Sequence, residues 1–380
     1  MTTADDLLAP LTFPCGAVAP NRIAQAPMVV WASEPLSGHV TDADVEYFAR
    51  RADVAGMIIT GASFVNREGR AFLGGLGIDD ATDMAGLRRL AAAIKSKGNL
   101  ALVQLHHGGR EAKCAYDELG YVLAPSAIDL PFLPYVPREM TEEQIASTVA
   151  DFGRAAVRAV EAGFDGVEIH GANHYLLQQF FSAYSNRRTD AWGGDLERRM
   201  AFPLAVLDEV KRAVAQTGKK DFIVGYRMCP DEIHGENVGY DVTEAMVLAE
   251  NVAAHGADYV HLSIFTGYDA VPAGHDASYG RLARKAVAGR CPVVIVSNVF
   301  TADDAVTALD HGDIVAIGRE AHIDPDFATK LREGHADQII TTVAGGRFTE
   351  LCLPDGVRTS YTTDPWRHIL QPMPGIEAYL

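Results

Sequence analysis

The sequence has few of the residues that build disulfide-rich or metal-cluster proteins. Only five of its 380 residues are cysteines, and they are dispersed without a Cys-x-x-Cys pair: Cys15, Cys114, Cys229, Cys291 and Cys352. An odd, scattered set argues against a disulfide framework and against a zinc or iron–sulfur cluster. We therefore expect no metal, and most of these thiols to be small core residues.

Positive charge and long apolar runs are also scarce. The 33 Lys and Arg residues are outnumbered by 50 Asp and Glu residues, so the net charge is −17, which opposes non-specific binding to nucleic acid or anionic membranes. No apolar run approaches membrane-spanning length, and the first ten residues lack the basic and apolar regions of a signal peptide. We expect a cytoplasmic protein that binds neither nucleic acid nor membranes.

What the sequence does contain is a regular alternation of short apolar stretches with amphipathic ones. The apolar stretches predict strands at residues 21–28, 56–60, 100–105, 166–169, 222–227, 259–263, 293–297 and 314–317. Helices are predicted between them, at 41–51, 84–97, from 141 onward, 196–216, 243–255, 279–288 and 301–309. Eight such units without a linker describe a single α/β domain, a (β/α)8 TIM barrel.

The competing fold is a doubly wound sheet, which would favour fewer strands or a second domain. The sequence also lacks the Gly-x-Gly-x-x-Gly motif after its first predicted strand, which would have favoured that fold. We therefore predict one barrel domain over residues 1–380, with the barrel core at about 20–333 and an irregular C-terminal tail at 334–380. The proline-containing but apolar stretch between strand 3 and helix 3 is predicted to be an ordered excursion that covers one face.

Polar side chains of three chemistries follow the fourth strand. His170, Asn173 and Tyr175 come where the apolar run ends. An imidazole and a carboxamide so placed can hold one carbonyl oxygen, and a phenol beside them can deliver a proton. Taken alone, a His-x-x-Asn at a strand end is more often a hydrogen-bonded loop than a catalytic site.

The other strand ends favour a catalytic site over a hydrogen-bonded loop, because barrel active sites lie at the carboxyl ends of the strands. Gln104 and Arg227 occupy two of these ends. Singly, Gln104 is more often a solvated strand end, and Arg227 is more often paired with a carboxylate such as Asp231 or Glu232. Together with the fourth strand, they indicate a polar site at the barrel mouth.

Strands seven and eight end in a pattern typical of phosphate sites. Ser297 and Asn298 follow one strand, and Gly318 and Arg319 follow the other. A glycine permits close backbone approach, and a guanidinium can hold a phosphate through two hydrogen bonds. The predicted ligand is a phosphorylated cofactor that lies across the barrel mouth.

At this point the chain resembles the Old Yellow Enzyme family of FMN-dependent ene-reductases, and most closely its bacterial NADH:flavin oxidoreductase branch. The matching stretches run in family order through most of the chain, at residues 21–28, 65–70, 104–110, 124–126, 169–176, 185–194, 225–227 and 317–320. The combination of the His170 stretch with residues 185–194 is highly specific for this family.

The resemblance implies a barrel that holds FMN non-covalently. Pro27, Met28, Val29 and Ala62 would line the flavin, Gln104 would bond its pyrimidine edge, and Arg227 would sit by N1 and O2. His170 would also contact the flavin, and the phosphate would bind at Ser297, Asn298, Gly318 and Arg319. A cation near N1 favours hydride uptake because it stabilises negative charge there.

The resemblance also implies an activity and two substrates that use one place in turn, a ping-pong scheme. NADH or NADPH would deliver hydride, and an α,β-unsaturated carbonyl compound or a similarly activated alkene would then accept it. His170 and Asn173 would hold the carbonyl oxygen, Tyr175 would donate the proton, and Trp31 would lie near the substrate. Which nicotinamide, alkene and stereochemistry are used, and whether the chain forms a homo-oligomer, the sequence leaves open.

One position departs from the family. A Thr or Cys that contacts flavin O4 usually follows the Pro-Met pair, but here Val29 stands there and has no donor. We expect one fewer hydrogen bond to the flavin and a lower potential. His106, His107 and His174 are interpreted as hydrogen-bonded loop histidines.

Three alternatives compete with the ene-reductase. An FMN enzyme that oxidises or reduces an amine or an enoyl or dienoyl thioester would share fold and cofactor. A non-redox, phosphate-binding lyase or isomerase would need a Schiff-base Lys or a metal-binding carboxylate set at the strand ends, and neither is apparent. A flavin-binding protein without activity is disfavoured by the intact His170, Asn173 and Tyr175 set.

Overall fold

Eight parallel strands close into a barrel in the computed structural model, which describes residues 2–343, 346–363 and 370–379. In chain order the strands are β1 Ile23–Gln25, β2 Met57–Phe64, β3 Leu100–His106, β4 Gly166–Gly171, β5 Ile223–Met228, β6 Tyr259–Leu262, β7 Val293–Val296 and β8 Ile314–Ile317. Each pairs with the next, and β8 pairs with β1, so that Ile317 lies opposite Gln25. The predicted barrel and its eight strands are confirmed.

Helices connect the strands and surround the barrel. They are α1 Ala4–Leu8, α2 Asp42–Arg50, α3 Met84–Ile94, α4 Lys113–Leu119, α5 Glu142–Ala162, α6 Leu176–Phe181, α7 Leu196–Gln216, α8 Val242–Ala254, α9 Tyr279–Val287, α10 Ala302–Ala308, α11 Arg319–Ile323, α12 Phe327–Arg332 and α13 Asp355–Thr362. Within the described ranges, none of the helices combines the length and the apolarity that crossing a bilayer requires.

The ends of α5 show how the sequence sets helix boundaries. The Thr141 side chain accepts from the backbone of Gln144, and the Gln144 side chain accepts from the backbone of Thr141. This capping box satisfies two amides that the first helical turn would otherwise leave unpaired. Gly163 ends the helix with a φ of 88°, which a glycine adopts without steric strain. The predicted start is confirmed.

The barrel interior is filled at its amino-terminal end. Inward-facing residues of several strands, including Met57, Leu102 and Val294, pack with Phe13 from the hairpin formed by Leu11–Thr12 and Val18–Ala19. Phe13 and Tyr259 have ring centroids 6.0 Å apart. A packed interior, closed at one end, leaves the carboxyl ends of the strands as the place for a ligand.

The connection between β3 and α5 is ordered, as predicted. It contains α4, and its short strand Leu123–Ala124 pairs with Arg138–Glu139. Tyr116 stacks on Tyr135 with ring centroids 4.1 Å apart, which anchors the stretch.

Several elements were not predicted from the sequence, among them three that follow the strand ends or reach the barrel mouth. A hairpin of Glu232–His234 and Asn237–Tyr240 follows β5, α6 follows the fourth strand directly, and the tail contains α13. The tail is therefore less irregular than predicted. Its proline- and aromatic-rich residues Pro365 and Trp366 lie outside the described residues.

Candidate active site

The carboxyl ends of the strands open into two adjoining cavities. One, of about 810 Å³, is lined by Ser297, Asn298, Gly318 and Arg319 beyond β7 and β8. The other, of about 1050 Å³, is lined by Val29, Trp31, Ala62, Gln104, His170, Asn173 and Tyr175. Both share Pro27, Met28 and Arg227. The structure thus brings every residue of the predicted site to one continuous cleft at the barrel mouth.

The first cavity has the features of an anion site. Ser297 and Asn298 have φ values of 112° and 54°, so the chain turns sharply after β7. Arg319 Nη2 donates to Asn298 Oδ1 at 2.8 Å, and the guanidinium lies 5.0 Å from the ring centre of Phe300. Ser297 Oγ is buried without a hydrogen-bond partner among the described residues. A phosphate would satisfy this hydroxyl and add a partner for the guanidinium.

Arg227 supplies a cation between the two cavities. Its Nη2 donates to Ser263 Oγ at 3.0 Å, while its Nε is buried without a partner among the described residues. Neither carboxylate considered as an alternative pairs with it, because Asp231 accepts from Tyr279 and Glu232 accepts from Gln178 and Ser182. The guanidinium is therefore available to an electron-rich ligand edge.

A buried carboxylate orients Gln104. Glu168, between Val167 and Ile169 in β4, accepts from Gln104 Nε2 at 2.7 Å, and from Tyr259 Oη and His261 Nδ1 at 2.9 and 2.8 Å. Burial opposes ionisation of Glu168, but His261, Arg227 and Gln104 outweigh it and lower the pKa of this carboxyl. Since a carboxylate only accepts, Gln104 must turn its amide nitrogen toward it and keep its carbonyl oxygen for a ligand.

Sequence reasoning missed Glu168. The available signal was a lone carboxylate flanked within its strand by the apolar, buried residues Val167 and Ile169. A charge in that place requires partners, and here the barrel interior provides them.

His170 and Asn173 both present hydrogen-bond donors to the second cavity. His170 Nδ1 accepts from the Ala172 backbone at 3.4 Å, which assigns the ring proton to Nε2. Burial, with the nearby His106 and Arg227, holds the pKa of His170 well below its usual value, so the imidazole is neutral. Asn173 Oδ1 accepts from Ser263 Oγ at 2.8 Å and from Cys229 Sγ at 3.6 Å, which leaves its amide nitrogen for a ligand.

Tyr175 lies beside this pair of donors. Its ring is 5.1 Å from that of His170 and meets His106 edge-on at 4.3 Å. Burial, and then the charge of Glu111, raise the pKa of Tyr175 well above its usual value. The phenol therefore remains protonated at neutral pH and can donate.

Of the three histidines predicted to lie in loops, His107 and His174 do so, whereas His106 is the last residue of β3. The three also differ in their bonding. His107 Nδ1 accepts from the Gly109 backbone at 3.1 Å, and His174 Nδ1 accepts from Gln178 at 3.3 Å, in line with the prediction. His106 does not follow it, since neither of its ring nitrogens has a partner among the described residues, and burial lowers its pKa to about 3. Its contribution is packing against Tyr175.

Residues from the C-terminal part of the chain complete the cleft. Tyr361 of α13 and Leu370 line both cavities, together with Phe265 after β6. A Cβ on Gly356 would lie 2.4 Å from the Cβ of Trp31, which shows how closely α13 approaches the barrel mouth. No local sequence motif marks these residues, because their role depends on where the tail folds.

Comparison with known proteins agrees with this geometry. The sequence model of the NADH:flavin oxidoreductase / NADH oxidase family matches residues 6–338. The chain belongs to this family. The predicted membership in the Old Yellow Enzyme family is thereby confirmed.

Three relatives illustrate the match. A probable NADH-dependent flavin oxidoreductase, YqiG of Bacillus subtilis (strain 168), is 40% identical over 352 residues, which are 92% of this chain and 94% of the relative. The structure of the Old Yellow Enzyme homologue from Zymomonas mobilis is 26% identical, with a TM-score of 0.76, and the match covers 93% of this chain and 98% of the homologue. Morphinone reductase in complex with tetrahydroNAD is 29% identical, with a TM-score of 0.74, covering 87% and 91%.

Family membership fixes the general chemistry. The protein is an NAD(P)H-dependent flavin oxidoreductase of the ene-reductase kind that uses FMN. The non-redox alternative is therefore wrong. The cleft fits FMN, since Ser297 Oγ and Arg227 Nε have no partner among the described residues and would be satisfied by a phosphate and by an electron-rich flavin edge.

Proposed function

We propose that the protein reduces the C=C bond of α,β-unsaturated carbonyl compounds or similarly activated alkenes, in a ping-pong reaction with NADH or NADPH. The observation that carries this proposal is the grouping of two neutral donors, His170 and Asn173, with a protonated phenol, Tyr175, in one cavity. Two donors suit a carbonyl oxygen that gains negative charge, and the phenol suits the carbon that must gain a proton.

The FMN is held, in this proposal, across both cavities of one barrel domain. Ser297, Asn298, Gly318 and Arg319 bind the phosphate, while Pro27, Met28, Val29 and Ala62 line the flavin. Bound FMN supplies the chemistry that amino acids lack, since it accepts hydride from NAD(P)H and passes it to the alkene. Arg227 favours the reduced cofactor by placing a cation against it.

His170 and Asn173 hold the substrate in the proposed reaction. Their fixed amide and imidazole hydrogens bond the carbonyl oxygen of the nicotinamide carboxamide first and that of the alkene afterwards. Because both donors are already oriented by the Ala172 backbone and by Ser263, they stabilise developing oxyanion charge without reorganising. Trp31 and Tyr361 wall the same cavity and restrict water.

Tyr175 then donates its proton to the alkene carbon next to the carbonyl group. Replacing Tyr175 by Phe should slow alkene reduction by about 100-fold or more, as expected for loss of a general acid. Oxidation of NADH in the absence of alkene should change little, because that step needs no proton from this residue. Stopped-flow absorbance with NADH alone, and then with 2-cyclohexenone, measures the two steps separately.

The matched control is Tyr116→Phe, which changes a phenol that stacks on Tyr135 away from the cleft. Equal slowing of both steps in Tyr175→Phe would show that the residue shapes the cavity and does not donate the proton.

A further inference from the structure

Three side chains of types that can ligate a metal meet beside the cleft, between the loop after β4 and the hairpin after β5, and one of them, His174, also lines the second cavity. They are His174, Glu232 and His234, and their ligand atoms all lie within 4.8 Å of one another. His174 Nδ1 is 3.9 Å from Glu232 Oε2, and the two imidazole rings have centroids 5.0 Å apart. None of the proposed steps on the alkene uses this cluster.

Glu232 is a rigid anchor for the cluster. Its side chain is 1% exposed, Ser182 Oγ donates to Oε1 at 2.7 Å, and Gln178 Nε2 donates to Oε2 at 2.8 Å. Burial opposes ionisation, but the neighbouring His174 and the hydrogen bonds from Gln178 and Ser182 keep the pKa of this carboxyl below its usual value. Outer hydrogen bonds of this kind orient the ligands of protein metal sites.

The donor set is matched by open space for an ion and its remaining ligands. All three side chains line a cavity of about 810 Å³ between the hairpin and Phe132 of the excursion, and also a neighbouring one of about 540 Å³. The Arg110 guanidinium at the first cavity is paired with Glu111, which offsets its charge. A cation can therefore reach the cluster and retain a water molecule.

We propose that His174, Glu232 and His234 bind one divalent transition-metal ion, of which Zn²⁺ is the best match, with a fourth position open to the cavity. Two imidazoles with one carboxylate form a donor set that suits Zn²⁺, whereas Mg²⁺ and Ca²⁺ favour sets made of oxygen atoms alone. Tetrahedral Zn²⁺ places its ligand atoms roughly 3.3 Å apart. The partly exposed His174 and the exposed His234 close the remaining distances while Glu232 stays in place.

Occupation of this site ties two parts of the active-site rim together. His174 stands between Asn173 and Tyr175 in the chain, and His234 stands on the hairpin opposite. An ion bound by both holds the loop that carries Asn173 and Tyr175. Since the ion binds the folded protein through a site absent from the unfolded chain, it also raises the thermal midpoint.

The test is Zn²⁺ binding by the FMN-loaded full chain after treatment with EDTA. Titration with zinc chloride in a calorimeter should show one site per chain at micromolar affinity or tighter. His234→Ala should weaken binding by at least tenfold, whereas His255→Ala should leave it unchanged. His255 is the matched control because it is another partly exposed histidine that contacts a carboxylate, Asp208, far along the chain.

A second measurement identifies the ligands directly. Co²⁺ should give the intense visible bands of a tetrahedral nitrogen and oxygen site in the wild type, and His234→Ala should lose them. Equal Zn²⁺ affinity in wild type and His234→Ala, or no binding at micromolar concentration, would overturn the proposal. Neither result would bear on alkene reduction, because the binding assay contains no NADH or alkene.

Discussion

Ser263 links Arg227, the proposed neighbour of the flavin, to Asn173, a proposed donor to the substrate carbonyl oxygen. Its hydroxyl accepts from Arg227 Nη2 at 3.0 Å and donates to Asn173 Oδ1 at 2.8 Å. The second bond settles which end of the Asn173 carboxamide faces the substrate, since an oxygen that already accepts two bonds turns the amino group outward. Ser263 is thus a positioning residue, which orients Asn173 for the proposed hydrogen bond to the substrate carbonyl oxygen.

Replacing Ser263 by Ala should loosen this orientation. Loss of one net hydrogen bond of about 1 kcal/mol predicts roughly fivefold weaker binding of a phenol ligand to the oxidised enzyme. Titration of the flavin absorbance with a para-substituted phenol measures this affinity. Ser126→Ala is the control, because Ser126 is a buried serine that bonds the Arg187 backbone instead. An unchanged affinity in Ser263→Ala would remove Ser263 from this role.

At the level of residues, sequence could identify the groups that end strands but not those that orient them. His170, Asn173, Gln104 and Arg227 follow apolar runs, and a barrel brings all such ends together. Glu168 and Ser263 act through hydrogen bonds across strands, and these depend on the register between strands, which composition does not fix. Tyr361 requires knowledge of where the tail folds.

Helix α13 is the element that most changes the predicted picture. It begins after Pro354 and places Tyr361 over both cavities, while Val357 is buried beneath it. Gly356 fits against Trp31 so closely that a Cβ there would lie 2.4 and 2.5 Å from the Trp31 Cβ and carbonyl oxygen. A backbone carbonyl cannot move aside as a flexible side chain does, so the helix itself would have to shift.

Replacing Gly356 by Ala should therefore displace α13 from the barrel mouth. We expect weaker retention of FMN or a higher KM for the alkene, by several-fold, because Tyr361 moves with the helix. Measurement of flavin release during dialysis and of steady-state kinetics tests this. Thr359→Ala, on the exposed face of the same helix, is the control. Kinetics and FMN retention equal to wild type would mean that α13 does not shape the site.

The barrel strands were predictable because each is a short apolar run bounded by turn residues, and the long helices because of their caps and spacing. The hairpin at 232–240 was not predictable, since its strands are only three and four residues long and their residues nearest the turn are exposed. The turn after α3 illustrates a smaller difference. The helix ends at Ile94, and a 3-10 turn carries the chain to Gly98, where the predicted stop occurs.

Across the whole molecule, burial keeps several titratable groups neutral, which lowers the pKa of buried histidines and raises the pKa of a buried glutamate. Burial lowers the pKa values of His106, His107 and His322 to about 3. Because the unfolded chain takes up these protons near pH 6.5, their contribution to stability is present above that pH and is lost as pH falls toward 3. Glu320 behaves oppositely. Burial raises its pKa to about 10, so the stability of its neutral form is lost as pH rises above 4.5.

Replacing Glu320 by Gln should therefore stabilise the protein more as pH rises. Both carboxyl oxygens are buried without partners among the described residues, so replacing the carboxyl by an amide breaks no hydrogen bond there. From a cost of about 1.4 kcal/mol per pH unit above 4.5, the gain at pH 8 should be roughly 3–5 kcal/mol, falling to a small value at pH 5. Thermal and urea unfolding at both pH values measures it.

The control for this change is Glu161→Gln, at an exposed position near the end of α5. A Glu320→Gln effect that is the same at pH 5 and pH 8 would show that Glu320 is not held neutral in the folded protein.

The hydrogen bonds from Arg227 through Ser263 to Asn173 would couple two properties of the proposed site: the oxidation state of the flavin and the affinity for the ligand. In the proposed site, a compound held by Asn173 would perturb the Arg227 cation beside the flavin, and the oxidation state of the flavin would in turn change the affinity for that compound. Thermodynamic reciprocity requires both effects to have the same free energy. A ligand that favours one oxidation state tenfold therefore moves the midpoint potential of the two-electron couple by about 30 mV.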